Sequence, residues 1–216
     1  MRLFKLFAAV AVTVAFLPSE DARPASPAPK SQAAEYGKAL PPIGFVRFCA
    51  ANPAECKGRD RKAQRIDMTP EQWQTVYQVN SYVNGKIAPV SDQDLYGKPE
   101  HWTYPTDAGD CEDYLLLKKR YLESMGFAPQ ALLITVVLDE KNEGHAVLTL
   151  AANDGDYVLD NRRNDVLRWT ETNYAFLKRQ SQQDATKWVA LAPRPGRQTD
   201  TVAGNKKSTA PQPLFL

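Results

Sequence analysis

After Pro129 the chain writes three β-rich runs in succession, ALLITVVL, HAVLTLAA and DYVLDN, separated by the turn-prone DEKNEG and NDGD. Short turns between strands of this length permit an antiparallel meander and leave no room for crossover helices. A helix leads into the meander. From Cys111 to Met125 the positions Tyr114, Leu115, Leu117, Lys118, Tyr121 and Leu122 recur at helical spacing, and Gly126 stops the run. Cys111 then falls in the first helical turn. Another helix is signalled at TPEQWQTVYQVNSYVNG, where Thr69 can cap, Pro70 suits the first position and Gln72 completes a capping box. Its apolar face reads as Trp73, Val76, Tyr77 and Val83, ending near Gly85. Helices followed by an antiparallel sheet predict an α+β fold with the cysteine-bearing helix packed on the sheet.

The segment IAPVSDQDLYGKPEHWTYPTDAG is dense in turn formers and reads as a long ordered loop, a length that usually carries function. Beyond the meander, DVLRW and TKWVALA read as strands or partial strands around a short helix near Tyr174 to Arg179. The N-terminus, MRLFKLFAAVAVTVAFLPSE, places Arg2 and Lys5 before an apolar run too short to span a bilayer, which is the pattern of a secretory signal. Small residues offer several cleavage points, so the mature start falls between Ser19 and Glu35; a retained anchor is the other reading. The expected organisation is signal peptide and linker over 1–34, a Pro/Ala/Ser-rich linker reaching to residue 42, one domain over 43–192, and a disordered tail over 193–216 whose final PLFL can dock.

Export makes the three cysteines informative. Cys49 and Cys56 in FCAANPAEC can pair across the Asn52-Pro53 turn; two reduced thiols are the alternative, and no second Cys or His pair supports a metal. Cys111 is the odd thiol. With a formal net charge of +2 and no basic block beyond Gly58 to Lys62, the chain is not built for nucleic acid.

A cysteine at a helix start, a histidine opening one strand and an aspartate closing the next form a workable nucleophile site: Cys111, His145 and Asp160. Free N–H groups at the helix start favour a thiolate, an imidazole can take the thiol proton, and a carboxylate can orient the imidazole. A lone helical cysteine is also a common buried hydrophobe. The acidic neighbours Asp110, Glu112 and Asp113 oppose a thiolate and set a puzzle.

The stretches YGKPEHWTYPTDAGDCEDYLLLKKRYLESMG, GHAVLTL and GDYVLDN, in this order and spacing, resemble the bacterial transglutaminase-like cysteine proteases, of which the LapG-type periplasmic proteases are the best known. The resemblance covers Ile43 to Ala190. It implies a papain-like, transglutaminase-type core, a Cys-His-Asp triad at Cys111, His145 and Asp160, and a periplasmic endopeptidase. It further implies cleavage of a surface adhesin in biofilm control, restraint by an inner-membrane cyclic di-GMP receptor, and Ca2+ bound through Asp110, Glu112 and Asp113. Calcium would resolve the puzzle, because a hard dication takes carboxylate oxygens and cancels their repulsion of a thiolate. Without metal, Asp110 would cap the helix and Glu112 and Asp113 would favour its first turn. The same triad also suits acyl transfer to an amine or a cell-wall amide hydrolase, and an inactive binding module is the reading from another class.

Five residues near these motifs have plainer readings beside functional ones. His101 reads as a solvated loop histidine, Trp102 and Tyr104 as core aromatics or cleft wall, and Arg162 and Arg163 as a basic turn or a contact for an acidic partner.

Overall fold

The computed structural model describes residues 31–56 and 62–193; the expectations for the signal segment and the tail, PLFL included, lie outside the described residues. In chain order the elements are β1 (Glu35–Ala39), α1 (Ile43–Ala51), α2 (Pro70–Lys86), β2 (Ala88–Pro89), α3 (Asp92–Tyr96), β3 (Ala108–Gly109) and α4 (Cys111–Ser124). A 3-10 turn at Pro129–Ala131 leads into β4 (Leu132–Leu138), β5 (Gly144–Ala152), β6 (Gly155–Leu159), β7 (Leu167–Arg168), β8 (Ala175–Gln180) and β9 (Trp188–Leu191). Seven strands form one antiparallel sheet in the order β1-β9-β8-β4-β5-β6-β7. The fold is α+β, as the sequence implies.

The meander supplies the centre of the sheet, and its apolar residues join Phe45 and Phe48 of α1, Val76, Val79 and Val83 of α2, and Leu115 and Leu122 of α4 in the main core. A smaller cluster with Val137, Val147, Val158, Trp169 and Phe176 forms separately. Each fully buried Leu or Val here contributes about 1.5–3 kcal/mol of burial.

α2 starts as its sequence requires. Thr69 Oγ1 accepts from the Gln72 N–H, and Gln72 Oε1 accepts from the Thr69 N–H at 3.0 Å. Its buried face is rotated from the apolar reading: Val76, Val79, Asn80 and Val83 are buried, whereas Tyr77 is exposed. The reason is polar. Asn80 Nδ2 donates to the carbonyls of Arg163 and Asn164, and Asn84 Nδ2 donates to those of Asp160 and Arg163. Two asparagines thus dock the helix on the turn that follows β6, a cue that hydrophobic periodicity does not contain.

Two other expectations change. The sheet begins ahead of Ile43, because β1 pairs with β9 inside the stretch read as linker. The short helix near Tyr174 to Arg179 is strand β8, where Phe176 is buried and Leu177 exposed. Pairing with β4 on one side and β9 on the other satisfies the backbone of β8 and overrides a weak local helix preference.

β1 is held by charge as well as by its ladder. Asp156, fully buried, accepts from the Ala33 N–H, from Arg65 and from Arg179, and Arg179 also binds Glu35 at 2.8 Å. The Asp156 N–H donates to the Ser31 carbonyl.

Cys49 and Cys56 form a disulfide with Cα atoms 5.4 Å apart, and Cys111 is a free thiol. The bridge closes a short loop, so replacing both cysteines by serine is expected to lower stability by about 2 kcal/mol, read as a lower urea midpoint with unchanged slope.

Candidate active site

Asp110 and Cys111 open α4 where the long loop returns to the sheet. The loop is folded back by a two-residue parallel pairing of β2 with β3, Ala88 opposite Ala108 and Pro89 opposite Gly109. Gly109 is required by close approach: a Cβ there would lie 2.6 Å from Asp113 Oδ2. Its missing side chain lets the Asp113 carboxylate fold under the loop, where Oδ1 accepts from the Thr103 N–H at 2.8 Å.

The sheet register sets the histidine and the aspartate. Leu148 lies opposite Leu159, which puts Asp160 level with Val147 and His145 one diagonal step away on the same face. His145 Nε2 and Asp160 Oδ1 are 2.9 Å apart. The Nε2–H therefore donates to the carboxylate and leaves Nδ1 as the ring acceptor. Asp160 also accepts from the Arg162 N–H and from the Tyr174 hydroxyl. Burial pushes its carboxyl up, but the bonds from His145, Tyr174 and Arg162 outweigh that and hold it at about 2. An ionised Asp160 at neutral pH stabilises a charged imidazole.

Cys111 and His145 line one cleft of about 280 Å³ with Pro89, Val90, Gly144, Asn161 and Arg162. Cys111 is partly exposed there. Its thiol donates to Glu112 Oε2 at 3.1 Å. Burial, then the charges of Glu112 and Asp110, push the thiol well above its ordinary range, while the Ala146 backbone N–H beside the sulfur acts the other way. Unless those charges are offset, the sulfur keeps its proton, and that proton points at Glu112.

Asp110 stands at the helix-cap position without capping: its Oδ2 accepts from the Asp92 N–H at 3.2 Å. Oxygens of Asp92, Asp110 and Asp113 lie within 4.8 Å of one another, and Asp110, Cys111 and Glu112 form a second such group. Asp92 Oδ1, Asp110 Oδ1 and Asp113 Oδ2 are buried, with no hydrogen-bond partner among the described residues. Burial first, then repulsion from Asp110, raises Asp92 and raises Asp113 to about 8 and Glu112 to about 10. Three inward-turned carboxylate oxygens without donors fit a hard divalent cation and suit nothing apolar.

A model of the bacterial transglutaminase-like cysteine proteinases matches residues 35–195. The chain belongs to this family. The family is one of cysteine proteinases. Solved structures with a similar fold include LapG of Legionella pneumophila in calcium-bound form, 22% identical with a TM-score of 0.45 over 52% of this chain and 66% of that one. An EGTA-treated LapG of the same organism is also 22% identical, with a TM-score of 0.44 over 52% of this chain and 64% of that one. No curated protein matches the chain.

For a transglutaminase-like cysteine proteinase, two residues of the site escaped the motifs. Asp92 lies in the long loop eighteen positions before Asp110, one of several acids there, and only the fold brings it in. Tyr174 was hidden by the helix reading of β8; the β-rich AFL that follows it was the available cue. The remaining marked residues take plain roles. His101 is half-buried with its ring edge-on to Tyr96 at 4.6 Å. Trp102 is buried against Phe45, its Nε1–H donating to Glu100, and Tyr104 packs on Phe48 beneath Arg120. Arg162 pairs with Asp139 at 2.8 Å at the cleft rim, and Arg163 is exposed.

Proposed function

We propose that this proteinase is an exported, calcium-dependent endopeptidase in which Cys111 is the nucleophile, His145 the base and Asp160 the group that orients and stabilises the imidazole. The observation that carries the triad is the 2.9 Å bond from His145 Nε2 to Asp160, with the ring sharing one cleft with Cys111. His145 Nδ1 takes the thiol proton, and the thiolate attacks a backbone carbonyl. The carbonyl oxygen gathers negative charge near the first-turn N–H groups of α4, which have no partner within the helix. As the tetrahedral adduct collapses, the C–N bond breaks and the leaving amine takes the proton from His145. Water then enters, gives a proton to His145 and cleaves the thioester, releasing the acid and restoring the thiol.

Asp92, Asp110 and Asp113 would hold the cation, with Glu112 between this group and the sulfur. Bound calcium supplies positive charge against the carboxylates that otherwise keep the thiol protonated. Calcium, a surface adhesin as substrate, the periplasm as compartment and a cyclic di-GMP receptor as partner all follow from the family resemblance. The described residues contain no helix long and apolar enough to cross a membrane.

The test is a comparison of surface-protein N-termini between cells carrying the wild type and cells carrying Cys111→Ala. New termini that appear only with the wild type name the substrate and the cleaved bond. Identical termini in both would sink the endopeptidase reading.

A further inference from the structure

The guanidinium of Arg162 does more at the cleft rim than close a pair with Asp139. Arg162 follows β6, and its backbone N–H donates at 3.1 Å to the same Asp160 oxygen that His145 holds. Its side chain ends on Asp139, directly after β4, where Nη1 donates to Oδ2 at 2.8 Å. β5, which opens with Gly144 and His145, lies between β4 and β6 in the sheet. The side chain therefore crosses the strand end that carries the histidine. Asp139 is itself locked, since its Oδ1 accepts from the N–H groups of Lys141 and Glu143 and the residue is buried. A buried carboxylate engaged at both oxygens thus pins one nitrogen of a guanidinium whose side chain is 43% exposed. Among the described residues no other side-chain donor of Arg162 has a bonded partner.

We propose that Arg162 is a specificity-determining residue that reads an acidic side chain of the substrate, just beyond the scissile bond on the leaving-group half. One bond to Asp139 leaves most of the donor fork open, and an open guanidinium takes a carboxylate in two parallel bonds. Because Asp139 fixes the group in advance, little side-chain freedom is lost on binding. The side of the bond follows from the mechanism. His145 hands its proton to the leaving amine, so that half of the peptide lies toward the histidine, where the side chain of Arg162 crosses. Asp110 lines the same cleft from the start of α4, which gives the cleft a carboxylate at the sulfur and a cation beyond the imidazole. An acid is repelled at one end and held at the other. The inference rests on the endopeptidase proposed above and adds a substrate class to it: peptides acidic shortly after the cleaved bond.

Two haloacetates of nearly equal size read this charge without a substrate. The Cys111 thiolate displaces iodide from iodoacetamide or from iodoacetate, forming a C–S bond in each case, so a change in thiol pKa, fold or access moves both rates together. Their ratio isolates the pull on a carboxylate. At fixed pH and calcium, the iodoacetate-to-iodoacetamide ratio is expected to fall roughly fivefold in Arg162→Gln, the effect of removing one nearby, partly screened unit charge. Arg162→Lys keeps the charge and should stay within about twofold of the wild type. Arg163→Gln, at an exposed neighbour that does not line the cleft, should also stay within about twofold, which separates a local charge from net charge. An unchanged ratio in folded Arg162→Gln overturns the proposal.

Peptides spanning the bond found by the comparison of N-termini give the second readout, made with Asp, Asn or Lys at each of the first three positions after that bond. In the wild type kcat/KM is expected to favour Asp over Asn at one of these positions by roughly tenfold, chiefly through KM, and to favour Asp over Lys by more. Salt at about 0.5 M should shrink the preference, as it does for a rim charge. In Arg162→Gln the preference should collapse to parity while the Asn peptide is cleaved about as before. An equal loss with all three peptides would make Arg162 a prop for the hairpin alone and overturn the proposal. Should that variant fail to fold, the wild type decides, because Asp no better than Asn at all three positions overturns it as well. Failure of the endopeptidase reading would appear separately, as cleavage surviving in Cys111→Ala, whatever the alkylation ratio does.

Discussion

Replacing Cys111 by alanine is expected to reduce peptide hydrolysis to the background of the assay and to remove the iodoacetamide-reactive site of the oxidised protein. Cys49 and Cys56 are tied to each other, so Cys111 is the thiol left to alkylate. Loss of a nucleophile or its base costs about 10³-fold or more in kcat, and the two losses do not add, because each disables the same step. His145→Ala should therefore fall nearly as far, and the double variant no further. Asp160→Asn should be milder, roughly 10²-fold. An amide can turn its oxygen to the fixed donors, His145 Nε2–H and the Arg162 N–H, and offer its NH2 to the Tyr174 oxygen. The tautomer is then preserved and only the charge is lost. Turnover in Cys111→Ala equal to the wild type would end the mechanism, and Asp160→Asn as dead as His145→Ala would mean that the carboxylate does more than orient.

Chelation of divalent cations is expected to suppress activity steeply while leaving the fold intact. Without a countercharge the crowded carboxyls at the start of α4 hold protons themselves, Asp113 up to about 8 and Glu112 up to about 10, and any one left ionised about 4 Å from the sulfur, at an effective dielectric near 20, costs the thiolate up to about 4 kcal/mol. Since one pKa unit is about 1.4 kcal/mol, one such neighbour suffices to hold a thiol protonated at neutral pH. Asp92→Ala separates this account from helix capping, because Asp92 lies outside α4 and cannot cap it. Calcium affinity and activity should fall together in that variant, and excess calcium should restore part of the activity. Magnesium should substitute poorly, since it demands a tight octahedral shell. Circular dichroism should be unchanged by EGTA, because α1, α2, α4 and the sheet are held together by their shared apolar core. Full activity in EGTA, with no heat on titrating calcium into stripped protein, would return GDCEDY to an ordinary helix start.

Local rules made much of this molecule legible. Short turns dictated the meander, Thr69, Pro70 and Gln72 dictated the start of α2, and Gly126, left-handed at φ 92°, ended α4. A histidine opening one strand and an aspartate closing the next were legible as neighbours across one hairpin, and the register makes them a diagonal pair. What escaped depends on contacts between distant segments. Asp92 meets Asp110 because Ala88 and Pro89 pair with Ala108 and Gly109, a bridge with no periodic signature. β8 is a strand because both neighbouring strands accept it, and Tyr174 reaches Asp160 only once that strand is in place. The outward turn of Tyr77 was invisible for a similar reason, since Asn80 and Asn84 choose the buried face of α2 through backbone carbonyls eighty positions away.

The knot of Asp156, Arg65, Arg179 and Glu35 also limits how far the N-terminus can be trimmed. A cut after Ser19 or anywhere up to residue 30 spares every bond in it. A cut at Ala33 or beyond removes the N–H that Asp156 accepts, and one past Glu35 unpairs Arg179 from its outer carboxylate as well. Losing β1 would turn β9 into the rim of the sheet, with a row of unpaired N–H and C=O groups beside Trp188 and Leu191, open to strand addition by another chain. Over-trimming should therefore favour association through β9, and the segment that looks most dispensable in the sequence is the one that covers this edge.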